Sequence, residues 1–245
     1  MRWIRLEALG TLVLGAAICV FASDSKPAVP GTLKYLEGQA SFGTHVLNAK
    51  SVGSAELKSG EVLRTGSGRA ELVLVPNVFL RVGRESSVEM ISRGLANTEI
   101  GLKQGQAIVE VGELHRDNDI RVVENGATTR LLKTGLYGFD ANGNAVRVFK
   151  GEAAVRDGEQ RVKVKSGRQV ALTAGELKSA KFDKRQYESS DLYRFSSLRS
   201  TYLDEANPQP AYWWGPWWGP GWGWGPGWGW GPGWGWGPGW GWGWW

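Results

Sequence analysis

Thiols, imidazoles and catalytic signatures are what this chain has least of. Its single cysteine, Cys19, excludes an intramolecular disulfide and any zinc or iron–sulfur centre that needs several thiolates. The two histidines, His45 and His115, stand far apart with no metal-ligand spacing around either, and both read as exposed loop residues. No HExxH, no GxxxxGKS/T phosphate cradle and no nucleophile motif occurs. Gly66-Ser67-Gly68 falls at a strand turn and not before a helix, so it is no dinucleotide phrase. Glu85, Glu89, Glu110 and Glu113 could pair on a surface, but no two of them stand out as acid and base. The expectation is a noncatalytic protein without cofactor or metal. Charge of either sign is mild, at 29 basic against 24 acidic residues. The run Arg161–Lys165 (RVKVK) reads as a basic sheet edge, where lysines discourage strand-on-strand association. Nucleic acid is not an expected partner.

The longest uncharged stretch near the N-terminus is Ala8–Ala22, preceded by Arg2 and Arg5. It suits the apolar region of a signal peptide and falls short of the roughly 20 residues of a membrane span. Val20-Phe21-Ala22 places small residues where a signal peptidase reads, which predicts cleavage after Ala22 and a periplasmic or secreted protein. An uncleaved anchor in the inner membrane is the alternative. Ile18 before Cys19 departs from a lipidation box. Cleavage would discard the one thiol, in keeping with an oxidising compartment. Residues 23–32 are polar and proline-bearing and read as a linker.

The body, residues 33–180, shows no apolar helix period. It consists of short runs rich in Val, Ile, Leu and Thr between glycine turns. The clearest stretch is Gly60–Met90. There Ala70, Leu72 and Leu74 alternate with Glu71, Val73 and Val75; after Pro76-Asn77, Val78, Leu80 and Val82 alternate with Phe79 and Arg81. This predicts a hairpin with one apolar face. Asn125-Gly126, Asn142-Gly143 and Asp157-Gly158 are further hairpin signals. A hydrophobic–lysine–glycine phrase recurs at Gly60, Gly105, Gly135, Gly151 and Gly167, with gaps of 45, 30, 16 and 16 residues. A near-fixed period suggests stacked units. The expected fold is all-β, solenoid-like or a folded β-sheet, with a plain sandwich as the alternative.

Taken in order, these phrases resemble a FecR-type domain, an extracytoplasmic all-β module of bacteria. The resemblance runs from about Leu33 to Glu176. It is carried by Gly60-Glu61, Leu63, Thr65-Gly66, Leu80-Arg81-Val82-Gly83 with Ser86, and then by LKQGQAIVEV, TGLYGFD, VRVFKGEAAV and VALTAGE. Glu61 stands where the family commonly has aspartate, and Pro76-Asn77 where it has an acidic-glycine turn. The resemblance implies a fold more than a role. Its best-known members relay iron-siderophore signals to a sigma factor through a cytoplasmic segment that precedes a membrane span. Only seven residues precede the apolar stretch here, so that role is not expected. A membrane-anchored sensory component remains the second functional reading.

Residues 183–206 change period. Leu192, Phe195, Leu198 and Tyr202 fall at helical spacing, with Tyr187 and Tyr193 nearby, and Asp183 with Gln186 suggests a capping box. The expectation is one helix whose aromatic stripe packs on the β-body. Residues 207–245 are of low complexity. From Ala211 onward there are 14 Trp, 14 Gly and five Pro, no side-chain charge, and a repeating GPGWGW unit. Glycine and proline oppose a helix, and proline opposes a central strand. Tryptophan, apolar with one N–H, favours sites with one wet and one greasy side. Candidate contact residues are therefore Trp213, Trp214, Trp217, Trp218, Trp222, Trp224, Trp228, Trp230, Trp234, Trp236, Trp240, Trp242, Trp244 and Trp245. Their expected partner is a membrane interface, an envelope glycan, another copy of the tail or another envelope protein. The leading functional reading is a noncatalytic interaction module or scaffold of the cell envelope.

Overall fold

The computed structural model describes residues 29–206 except 174. The expected signal peptide, its cleavage point, most of the linker and the tail with its tryptophans lie outside the described residues.

In the first half the strands are β1 (Leu33–Glu37), β2 (Ala40–Phe42), β3 (His45–Val46), β4 (Val62–Thr65), β5 (Arg69–Val75), β6 (Val78–Val82), β7 (Ser87–Arg93), β8 (Asn97–Gln104) and β9 (Gln106–Val111). In the second half they are β10 (Asp119–Glu124), β11 (Ala127–Leu131), β12 (Gly135–Asp140), β13 (Ala145–Lys150), β14 (Glu152–Asp157), β15 (Gln160–Lys165), β16 (Arg168–Ala171) and β17 (Ser179–Lys181). Two helices follow, α1 (Lys184–Glu188) and α2 (Asp191–Ala206). The strands pair into a first sheet, β1-β5-β6-β9-β12-β13-β16-β17, and a second, β15-β14-β11-β10-β8-β7-β4-β2-β3. Strand number runs steadily across both, apart from the exchange of β2 and β3 at one edge. The fold is all-β, with chain growth along one axis as in a solenoid. The basic strand β15 does form a sheet edge.

The repeating unit is a hairpin delivered alternately to the two sheets. β12–β13 lies in the first, β14–β15 in the second and β16–β17 in the first again. Gly135, Gly151 and Gly167 stand where the chain changes sheet, which accounts for their even spacing. Gly151 shows why glycine is needed at a crossing. Its φ is +101°, and an added Cβ would lie 2.2 Å from Tyr137 Oη and 2.8 Å from the Thr134 carbonyl. β8 and β10, separated by a strand of the other sheet, pair in parallel.

Both sheets bury their facing sides in one core. Leu72, Val82, Val109 and Tyr137 come from the first, Val88, Ile100, Val122 and Val155 from the second. The β5–β6 hairpin closes through Pro76-Asn77, with Asn77 at φ +59°, a conformation asparagine tolerates. A register shift between Val73 and Val75 turns Val75 into this core, away from the face of Glu71 on which strict alternation puts it. The expectation of a single apolar face also needs correction: Glu71, Val73 and Arg81 on the other side are buried too.

Glu71 and Arg81 are buried because α2 lies over them on the outer side of the first sheet, with α1 beside it. The single expected helix is two. Asp183 caps α1 by accepting from the Arg185 N–H at 3.0 Å. Ser189 and Ser190 then interrupt the helix, and Ser190 Oγ accepts from the Tyr193 N–H at 3.4 Å. Serine hydroxyls compete with the helix ladder in this way and favour caps. Leu192 and Phe195 pack beneath α2 with Ile108, Leu136 and Phe149. The expected stripe stops there, since Leu198 is 54% and Tyr202 53% exposed.

Candidate functional site

Beyond Phe195 the seam between α2 and the sheet becomes polar. Glu71 on β5 lies directly across from Arg81 on β6, and the β9 strand on the other side of β6 brings Glu110 alongside. Their alternation phase points all three outward, under the helix. Ser196, Arg199 and Ser200 stand three and four residues apart on α2 and so share one face.

The side chains close a network. Arg81 Nε donates to Glu71 Oε2 at 2.8 Å, and Arg81 Nη1 donates to Glu110 Oε2 and, at 2.7 Å, to Ser196 Oγ. Arg199 Nη2 donates to Glu71 Oε1 at 2.8 Å. Ser200 Oγ donates to Glu110 Oε2 at 2.7 Å. Glu71 and Arg81 are wholly buried. The guanidinium of Arg199 also lies 4.6 Å from the Tyr35 ring centroid, and that of Arg147 4.1 Å from the Tyr187 ring. Two arginines against two glutamates make a charge-matched set. Its geometry orients a helix: both oxygens of Glu71 and Oε2 of Glu110 are engaged, while Arg81 Nη2 is buried with no hydrogen-bond partner.

A second buried polar group lies between the sheets. Glu124 continues the inward phase of Ile120 and Val122, and neither of its carboxylate oxygens has a hydrogen-bond partner. Burial pushes its carboxyl up to about 8; the Asp140 carboxylate pushes the same way and Arg147 opposes. Asp140 itself accepts from the Gly143 N–H at 2.8 Å and from Gln106 Nε2 at 3.0 Å.

The acidic residues singled out from sequence do not converge. Glu110 belongs to the buried network, not to the surface, because α2 covers it. Glu89 pairs with Lys103 at 2.8 Å, Glu113 accepts from Asn77 Nδ2 at 3.1 Å, and Glu85 occupies a turn at φ +49°. His45 sits exposed on β3, while His115 Nε2 is 3.5 Å from Glu113 Oε1. Among the described residues no group of three or more His, Cys, Asp or Glu is placed to hold a metal. The fourteen candidate tryptophans lie outside the described residues. Sequence reading missed Glu71, Arg81 and Glu124. The available signals were two opposite charges on one phase of a hairpin and an acid on the inward phase of a strand.

No family model matches the chain, and no curated protein matches it. Two solved structures, each described as a "putative anti-sigma factor" from Parabacteroides distasonis ATCC 8503, are similar to it in part. Their TM-scores are 0.43 and 0.44 at 16% and 15% identity, over 51% of this chain and 60% and 62% of theirs. This chain thus spans less than two thirds of either, and a likeness so partial assigns no role.

Proposed function

We propose that this chain is a noncatalytic scaffold of the bacterial cell envelope that mounts its tryptophan-rich tail on a fixed helix. The observation that carries this reading is the buried network of Glu71, Arg81 and Glu110 beneath Ser196, Arg199 and Ser200. It holds α2 against the first sheet, and the tail sequence begins immediately after Ala206, the last residue of α2. A tail with 14 Trp and no side-chain charge suits the membrane headgroup zone or stacking on envelope glycan. So many apolar rings without charge would invite aggregation unless they had a partner.

The test is co-sedimentation of the exported protein with liposomes and, separately, with glycan-containing envelope fragments. Deletion of residues 211–245 is expected to abolish pelleting with one of the two, and unchanged pelleting with both would refute the reading. The proposed location is the periplasm or the exterior, after cleavage following Ala22. An intact mass corresponding to a chain starting at Ser23 supports it. A retained N-terminus would favour the anchored sensory component instead.

A further inference from the structure

The outer face of the second sheet carries a concentration of arginine apart from the helix seam. β10, β11, β14 and β15 are consecutive in that sheet and end at its edge. Arg121 faces Arg130 across β10–β11, Thr128 faces Arg156 across β11–β14, and Arg156 faces Arg161 across β14–β15. Ala153 and Val155, on the opposite phase of β14, are in the core, so Ala154 and Arg156 point outward. Together these residues line a shallow groove of about 270 Å³, with Ala154 and Thr128 between the guanidinium groups.

The four arginines are not equally neutralised. Arg121 pairs with Asp119 and lies 3.6 Å from Glu99, while Arg130 Nε is 2.7 Å from Asp119. Arg156 and Arg161 are exposed and have no acidic partner among the described residues. Like charges directly opposite on neighbouring strands destabilise a sheet. A guanidinium is weakly hydrated and presents a planar fork of donors that matches phosphate oxygens. Small side chains between the two arginine pairs leave room for an anion to reach more than one fork.

We propose that this groove is an anion-binding face that takes a phosphate group between Arg156 and Arg161, with the Thr128 hydroxyl as a further donor. The phosphate belongs either to a lipid headgroup or to a soluble phosphate. Its binding removes the cross-strand repulsion and so stabilises the body. The face lies on the opposite sheet from α2.

The experiment uses the full exported chain at low salt. Inorganic pyrophosphate is titrated calorimetrically, and vesicles of phosphatidylcholine with and without phosphatidylglycerol are co-sedimented. The variant Arg156→Gln/Arg161→Gln is compared with Arg84→Gln/Arg116→Gln, which removes equal charge elsewhere. The expected result is a loss of about tenfold or more in affinity in the first variant only. Loss in both the pyrophosphate and the anionic-vesicle arms assigns a lipid phosphate, and loss in the pyrophosphate arm alone a soluble one. In phosphate-free buffer the first variant should unfold at or above the wild-type temperature, because repulsion is relieved. No binding, equal losses in the two variants, or a lower unfolding temperature in phosphate-free buffer would overturn the proposal.

Discussion

Replacing Glu124 by glutamine should remove a pH-dependent penalty built into the core. Glutamine keeps the shape of the side chain and cannot ionise. In the folded protein the Glu124 carboxyl is raised from 4.5 to about 8, chiefly by burial, with Asp140 adding to the effect. Between those two values the folded protein holds a proton that the unfolded chain has released. Stability therefore falls as pH rises through this window, by about 1.4 kcal/mol per pH unit from this group alone. The penalty is absent below the unfolded value and constant above the folded one. Wild type measured against Glu124→Gln should thus lose about 2–3 kcal/mol between about pH 5 and pH 7. Other titrating groups cancel in the comparison. Urea unfolding at a series of pH values gives the difference directly. Circular dichroism should be the probe, since every tryptophan lies outside residues 29–206. A difference that stays constant from pH 5 to 7 would refute the assignment of Glu124 as a buried, protonated acid.

The helix seam and the sheet crossings offer two further tests. Arg81→Leu strands Glu71 and Glu110 without their buried partner and should cost about 3–5 kcal/mol in denaturant unfolding. A cost below about 1 kcal/mol would mean that water enters the seam and the network is dispensable. Gly158, at φ +54° with nothing near its missing Cβ, should tolerate alanine at a cost of about 1–2 kcal/mol. Gly151→Ala adds a clash with Tyr137 Oη to the same kind of conformational cost, and should lower the unfolding temperature further. Equal shifts for the two would refute the steric account of the crossing.

Alternation in Gly60–Met90 and the even glycine spacing carry most of the fold, because both follow from local geometry. A strand's two faces show in its sequence, and a crossing that only glycine can make leaves a glycine behind. What covers a face is not local. Arg81 and Ser196 are 115 residues apart, and Glu71 and Arg199 are 128 apart. Nothing near the hairpin announces that a helix from the far end of the chain will bury its charged side. The helix and its packing on the β-body were legible, as Leu192 and Phe195 show, but how far along α2 that apolar contact runs was not. Leu198 and Tyr202 continue the apolar period, yet they face solvent because the sheet beneath that turn presents Glu71, Arg81 and Glu110. Glu124 was hidden for the opposite reason: an acid beside an Asn-Gly turn reads as surface, although its phase points inward.

The polarity of the seam bears on what α2 is for. Burying three charges and covering most of a fourth is a poor way to gain stability, since desolvation offsets much of their attraction and apolar side chains of similar size often hold as well. Leu192 and Phe195 already supply an apolar grip. An apolar grip alone fixes neither slide nor rotation. A slide of one turn moves α2 by about 5.4 Å. Arg81 would keep Glu71 and Glu110, which the sheet itself carries, but Glu71 would lose Arg199. Two buried carboxylates would then share one buried guanidinium, and that excess charge would cost several kcal/mol, so the network penalises wrong seatings more than it rewards the right one. A helix that only completed the fold would have little use for such discrimination. On the proposed function, its use is to fix the place on the body at which the tail sequence begins.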